Sequence, residues 1–145
     1  MYSAQLSERL AVVATIDPVS QGAGTVLTDA VDMSKFSRVI FILILGAMTT
    51  NSTVDFKLRE AATSGGTYSD ITGKSVTQLT QASTDDNKQV VVEIKNDELT
   101  DGKQFVKGSL TVAVAATVLA VIALGEPRYL PAADVDLTSV DEIVA

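Results

Sequence analysis

Thr53-Val54-Asp55-Phe56-Lys57-Leu58-Arg59-Glu60 is the stretch that decides the fold class. Val54, Phe56 and Leu58 alternate with Thr53, Asp55, Lys57 and Arg59. Side chains on a strand point to opposite faces in turn, so this period of two predicts one buried face and one wet face. Ser64-Gly65-Gly66 then reads as a turn, and Thr67–Ile71 as a short strand broken by Gly73.

Upstream, Arg38-Val39-Ile40-Phe41-Ile42-Leu43-Ile44-Leu45 has no polar alternation. That pattern predicts a central strand covered on both faces and ended by Gly46. Further upstream, Ala11–Ile16 reads as a strand stopped by Asp17-Pro18. Ser20–Gly24 reads as a turn and Thr25–Leu27 as a short strand. Downstream, Ser75–Thr80 fits strand or loop, and Gln81–Asn87 is a polar surface loop. Lys88–Lys95 reads as a strand with Val90, Val92 and Ile94 inward, and Asn96–Gly102 as a polar connection. Gln104–Ala115 and Thr117–Leu124 look like a hairpin around Ala115-Ala116-Thr117, with Val106, Leu110, Val112 and Val114 on one face. Short strands separated by regular turns predict an all-β fold, an antiparallel β-sandwich or jelly-roll-like domain over residues 11–125.

Both ends read as extended arms. Residues 1–10 form an N-terminal arm with room for a helical turn or two. Residues 126–145 form an acidic C-terminal arm carrying five acids and one base. Val135, Leu137, Val140, Ile143 and Val144 in that arm are more apolar than a purely disordered acidic tail needs. They predict a tail that orders on a partner.

The 145 residues suit one domain, and the chain has no Cys and no His. Disulfides, thiolate metal sites, cysteine nucleophiles, a Ser-His-Asp triad and a His-bearing zinc site are therefore excluded. A net charge of −7 repels phosphate backbones and argues against nucleic acid as a partner. Mean hydropathy is +0.27, high for a soluble monomer. The apolar runs Val39–Met48 and Leu110–Leu124 are shorter than the ~20 residues of a membrane-spanning helix and rich in β-branched residues. No secretory signal is visible. The hydropathy therefore predicts surface buried between subunits.

The chemical candidates are weak. Asp85-Asp86-Asn87 and Asp97-Glu98 with Asp101 could offer oxygen ligands to calcium, but neither has EF-hand spacing, and both read as solvated turns. With no Trp, and with Tyr2, Tyr68 and Tyr129 scattered, no stacking platform for a sugar is evident. Asn51-Ser52-Thr53 matches a glycosylation sequon by chance. Gly22-Ala23-Gly24 serves a turn, with no phosphate-binding pattern around it. The expectation is no enzyme, no catalytic residue, no metal and no cofactor.

The order of segments carries a resemblance. Asp32-Met33-Ser34-Lys35-Phe36-Ser37-Arg38-Val39 leads into the long apolar strand. Val54–Glu60 follows, then Gly66-Thr67-Tyr68-Ser69-Asp70-Ile71-Thr72-Gly73, the Val/Ala-rich pair of strands, and Gly125-Glu126-Pro127-Arg128-Tyr129. Over roughly residues 25–130 the chain resembles small structural proteins of tailed bacteriophages. The resemblance implies a virion role, best matched by a head decoration, or cement, protein. Such proteins form homotrimers on the head exterior and clamp neighbouring capsomers of the major capsid protein. It also implies synthesis in the host cytoplasm and no membrane partner. No residue-level site carries over. The rival expectations are another virion component, of tail or neck, and a carbohydrate-binding β-sandwich module.

Overall fold

The computed structural model describes residues 3–132 and 138–144. One helical turn, α1 (Leu6–Arg9), precedes ten strands: β1 (Ala11–Gln21), β2 (Gly24–Leu27), β3 (Val31–Asp32), β4 (Phe36–Met48), β5 (Thr53–Ala61), β6 (Ser69–Ser75), β7 (Leu79–Thr80), β8 (Gln89–Lys95), β9 (Phe105–Ala113) and β10 (Thr117–Pro127). They form two antiparallel sheets, β1-β10-β4-β8 and β2-β9-β5-β6, with β3 added on β9 and β7 on β5. The pairing is nested: β1 with β10, β2 with β9, β4 with β8, β5 with β6. A long antiparallel ribbon rolled on itself gives this arrangement, the jelly roll.

The alternation in β5 is realised as expected. Val54, Phe56 and Leu58 are buried and their neighbours half-buried. Across the core, Phe56 meets Phe41 of β4 with ring centroids 6.4 Å apart. On β8, Ile94 is buried, and Val90 and Val92 pack against the same core.

Several boundaries differ from the sequence reading, each for a local reason. β1 runs through Asp17-Pro18 because the pair sits where the register with β10 shifts between Ile16 and Val19. A proline lacking a donor is tolerated at an irregularity on an edge strand. β4 continues past Gly46, whose missing side chain leaves room for Val118: a Cβ there would stand 3.0 Å from Val118 Cγ1. Gly73 lies inside β6 with φ +79, where the ladder to β5 shifts register. β10 passes Gly125 and stays paired with β4 to Pro127, so the acidic segment starts inside the sheet.

The largest correction concerns β9 and β10. They are not a hairpin. β9 pairs with β2 and β5, β10 with β1 and β4, so the link crosses from one sheet to the other. The crossing needs a sharp reversal. Val114, expected inward, instead adopts φ +70 and is 71% exposed. The Ala115 N–H donates to the Ala113 carbonyl (2.9 Å) and the Thr49 N–H to the Ala116 carbonyl (3.2 Å). The chain re-enters the core at Thr117, whose hydroxyl donates to Ser52 Oγ (3.2 Å).

A β-branched residue in left-handed backbone costs about 1–2 kcal/mol, and Asn tolerates that region. Val114→Asn loses little packing and is expected to stabilise the fold by about 1 kcal/mol in urea denaturation. A variant less stable than the parent would show that the left-handed turn carries no strain.

Candidate functional site

The two sheets present chemically different outer faces. On β5 and β9 the outward positions are Thr53, Asp55, Lys57, Arg59, Lys107, Ser109 and Thr111, with Phe105 and Ala113 at the ends. Polar side chains there are tied together. Asp70 of β6 receives Lys57 Nζ (2.6 Å) and Arg59 Nε (3.0 Å). The Lys57 hydrogen bond holds the Asp70 carboxyl below its ordinary range. Gln78 Nε2 donates to Asp55 Oδ2 (2.8 Å), and Thr25 and Thr111 share a hydroxyl contact of 2.8 Å. This is an ordinary wet face.

The outer face of β1-β10-β4-β8 is apolar. β4 alternates strictly: Val39, Phe41, Leu43 and Leu45 face the core, while Ile40, Ile42 and Ile44 face outward. The expectation of cover on both sides of this strand is therefore corrected. In the ladder, Leu124 stands beside Ile40, Ile122 beside Ile42 and Ala120 beside Ile44. β8 adds Val91 next to Ile42, and β1 adds Val12 next to Leu124. Val91 is 57%, Val118 45% and Ile44 40% exposed. Charge gathers at one end, apart from Asp17 of β1, whose carboxylate accepts from the Thr15 hydroxyl (3.4 Å). At that end Arg38 Nε and Glu126 Oε2 pair at 2.8 Å, with Lys95 beside Arg38 and Glu93 beside Ile40.

Both arms border this face. Leu10 lines a depression with Ile40, Leu124, Arg38, Glu93 and Glu126. The Ala132 N–H donates to the Glu8 carbonyl (2.8 Å), which ties the two arms together. Ser139 meets the Thr15 hydroxyl of β1 at 2.8 Å. Val135 and Leu137 lie outside the described residues.

Three of the acidic candidates, Asp85, Asp86 and Glu98, have structural partners. Asp85 Oδ2 accepts from Thr80 N–H and Asp86 Oδ1 from Met48 N–H, both at 2.8 Å. Asn87, at φ +58, donates its N–H to the Gly46 carbonyl (3.1 Å). They close the loop before β8. Glu98 accepts from Lys74 Nζ (2.9 Å) and from the Lys95 N–H (2.8 Å), which lower its pKa in that order. Among the described residues no three acids gather as a metal site. Tyr68 donates to the Ser64 carbonyl (2.9 Å) with Lys107 over its ring, Tyr129 stands exposed beyond β10, and Tyr2 lies outside the described residues. No helix among the described residues is long and apolar enough to cross a membrane.

The sequence reading expected cover on both sides of this strand and did not single out Ile40, Ile42 and Ile44 as an outward row. Neither a protein-family model nor a curated protein matches the chain.

Proposed function

We propose that this chain is a structural protein of a tailed-phage virion, a head decoration (cement) protein that acts as a homo-oligomer on the outside of the capsid. The observation that carries the reading is the apolar outer face of β1-β10-β4-β8. A jelly roll with one wet and one greasy face is built to assemble, because contiguous exposed apolar surface marks interaction sites. The resemblance over residues 25–130 supplies the setting. Jelly rolls also serve as lectins and cupins. The chain has no His for a cupin-type metal centre, and on the wet face the Tyr68 ring is covered by Lys107 while Phe105 stands at the end of β9.

The action is mechanical. Each bound multimer buries surface across capsomer boundaries, and about 25 cal/mol per Å² of apolar area then opposes separation. The arms reach the shell. Their mutual contact at Glu8 and Ala132 places them on one side of the sandwich.

Co-sedimentation with empty phage heads tests this. The full chain is expected to pellet saturably with heads. Deletion of residues 1–9 or of residues 129–145 leaves every long strand intact and is expected to weaken binding at least ~10-fold, the equivalent of 1.4 kcal/mol. Equal affinity in both deletions rejects the latching role of the arms. Failure of the full chain to pellet rejects the decoration role. Rings or tubes formed by the purified chain would favour a tail or neck protein instead.

A further inference from the structure

We infer that the outer face of β1-β10-β4-β8 is the surface on which a second copy of this chain docks, sheet against sheet. The inference rests on the assembly reading above and names the partner of that same face; a face that docks on its own copy closes at two, so the pair is two-fold and differs from the trimer that the resemblance implies.

Size is the first argument. Four strands about 4.8 Å apart, over seven residues at about 3.4 Å each, give a strip of roughly 400 Å². A standard interface covers about 800 Å² per partner, with an apolar centre and a polar rim. The strip supplies such a centre. Thr15 and Gln89 on its sides and the charged row at one end supply the rim.

Charge is the second argument. Across the end row the signs run Glu126 on β10, Arg38 on β4 and Lys95 on β8, with Glu93 one step inward. A partner of a single sign would meet repulsion from half of these groups. A second copy brings both signs and can match them. A lipid surface fits poorly. The face has no aromatic residue, and interfacial membrane elements favour Trp, Lys and Arg around an apolar stripe.

Shape is the third argument. Rows of Ile and Val on a pleated, twisted sheet interdigitate best with another such sheet, about 10 Å away and near −30°. Adding a strand at the β8 edge is a poorer route. Lys74 Nζ already donates to the Glu93 carbonyl (2.7 Å), and Glu98 accepts the Lys95 N–H (2.8 Å). These contacts blunt that edge as edge strands are commonly protected. The face therefore docks, and the depression beside Leu10 receives an apolar side chain from the facing copy.

The test is sedimentation equilibrium of the full chain and of Val91→Glu and Ile44→Glu, with circular dichroism to establish folding. Thr25→Glu on the wet face is the control. The parent and Thr25→Glu are expected to be multimers. The two face variants are expected to be folded monomers, their dissociation constant raised at least ~100-fold by a desolvated carboxylate. Folded face variants that remain multimers overturn the inference and leave the decoration reading intact. A monomeric parent whose binding to empty heads is lost in the face variants also overturns it, and assigns the face to the shell. A monomeric parent that floats with phosphatidylcholine vesicles overturns it in favour of lipid. A parent that multimerises through this face yet ignores heads supports the inference and ends the decoration reading. If Ile44→Glu fails to fold, Val91→Glu on the edge strand decides alone.

Discussion

Phe56→Ala is expected to destabilise the fold by about 3–5 kcal/mol, the range for deleting a buried aromatic side chain. The ring is 1% exposed and sits where the two sheets meet, against Phe41. Its other neighbour is Gly108 of β9, where an added Cβ would lie 2.8 Å from Phe56 Cε2 and Cζ and 3.1 Å from Thr28 Cγ2. Thr28 cannot readily yield. Its hydroxyl donates to the Asp29 carbonyl and accepts the Gly108 N–H, each at 2.9 Å. Gly108→Ala alone therefore overpacks the core, at a cost of about 1–3 kcal/mol. In a Phe56→Leu background the same substitution meets a smaller neighbour and its cost should shrink. Contacting residues show interaction energies of about 0.5–3 kcal/mol. Urea titration of the four proteins in the cycle measures this term, and strict additivity would show that the ring and the glycine do not share one space.

Phe56 also shows what was legible beforehand. Local alternation identifies which side of a strand is buried, because burial on one face leaves a period-two record in the sequence. β5 and β8 were read correctly on that basis. Partners are a different matter. Nothing in residues 105–124 records that the chain changes sheet at Val114, because inward residues of either sheet obey the same period. The crossing depends on a left-handed valine and on a buried Thr117–Ser52 hydrogen bond, neither of which has a composition signature. Gly46, Gly73 and Gly125 misled for a related reason. A glycine needed inside a strand, for close approach as at Gly46 and Gly125 or for left-handed backbone at a register shift as at Gly73, has the same letter as one that ends it.

The candidate site was half legible. Mean hydropathy and the unbroken run from Val39 to Leu45 told that apolar surface exceeds what one protomer shelters. They did not tell where. Placement required the ladder that sets Ile40, Ile42 and Ile44 beside Leu124, Ile122 and Ala120. The two ends were read as extended arms with no contact between them foreseen. Their contact through Glu8 and Ala132 joins residues at opposite ends of the chain, and it follows from the β1–β10 pairing that brings the termini together.

Gly125→Val is expected to lower stability by about 2 kcal/mol, the balance of two opposed effects. Valine suits a strand better than glycine, a gain of up to about 1 kcal/mol. Against this, a Cβ at position 125 would stand 2.7 Å from Phe36 Cδ1 and 3.0 Å from Val13 Cγ1, and the two further methyl groups add to the overlap. Overpacking of about 1–3 kcal/mol, occasionally more, outweighs the propensity gain. The strand cannot easily move aside, because β10 is bonded to β1 on one side and to β4 on the other. Gly22→Ala, with open space around its Cβ, is the neutral control. At roughly 3 °C per kcal/mol, the melting temperature of Gly125→Val should fall by about 6 °C. The overlap is on the inward side, so its mass in solution should match the parent's. Ile44→Glu should do the reverse, shifting the mass with a smaller change in melting. A parent-like melting temperature in Gly125→Val would show that the core accommodates a side chain there and that this glycine is not required for packing.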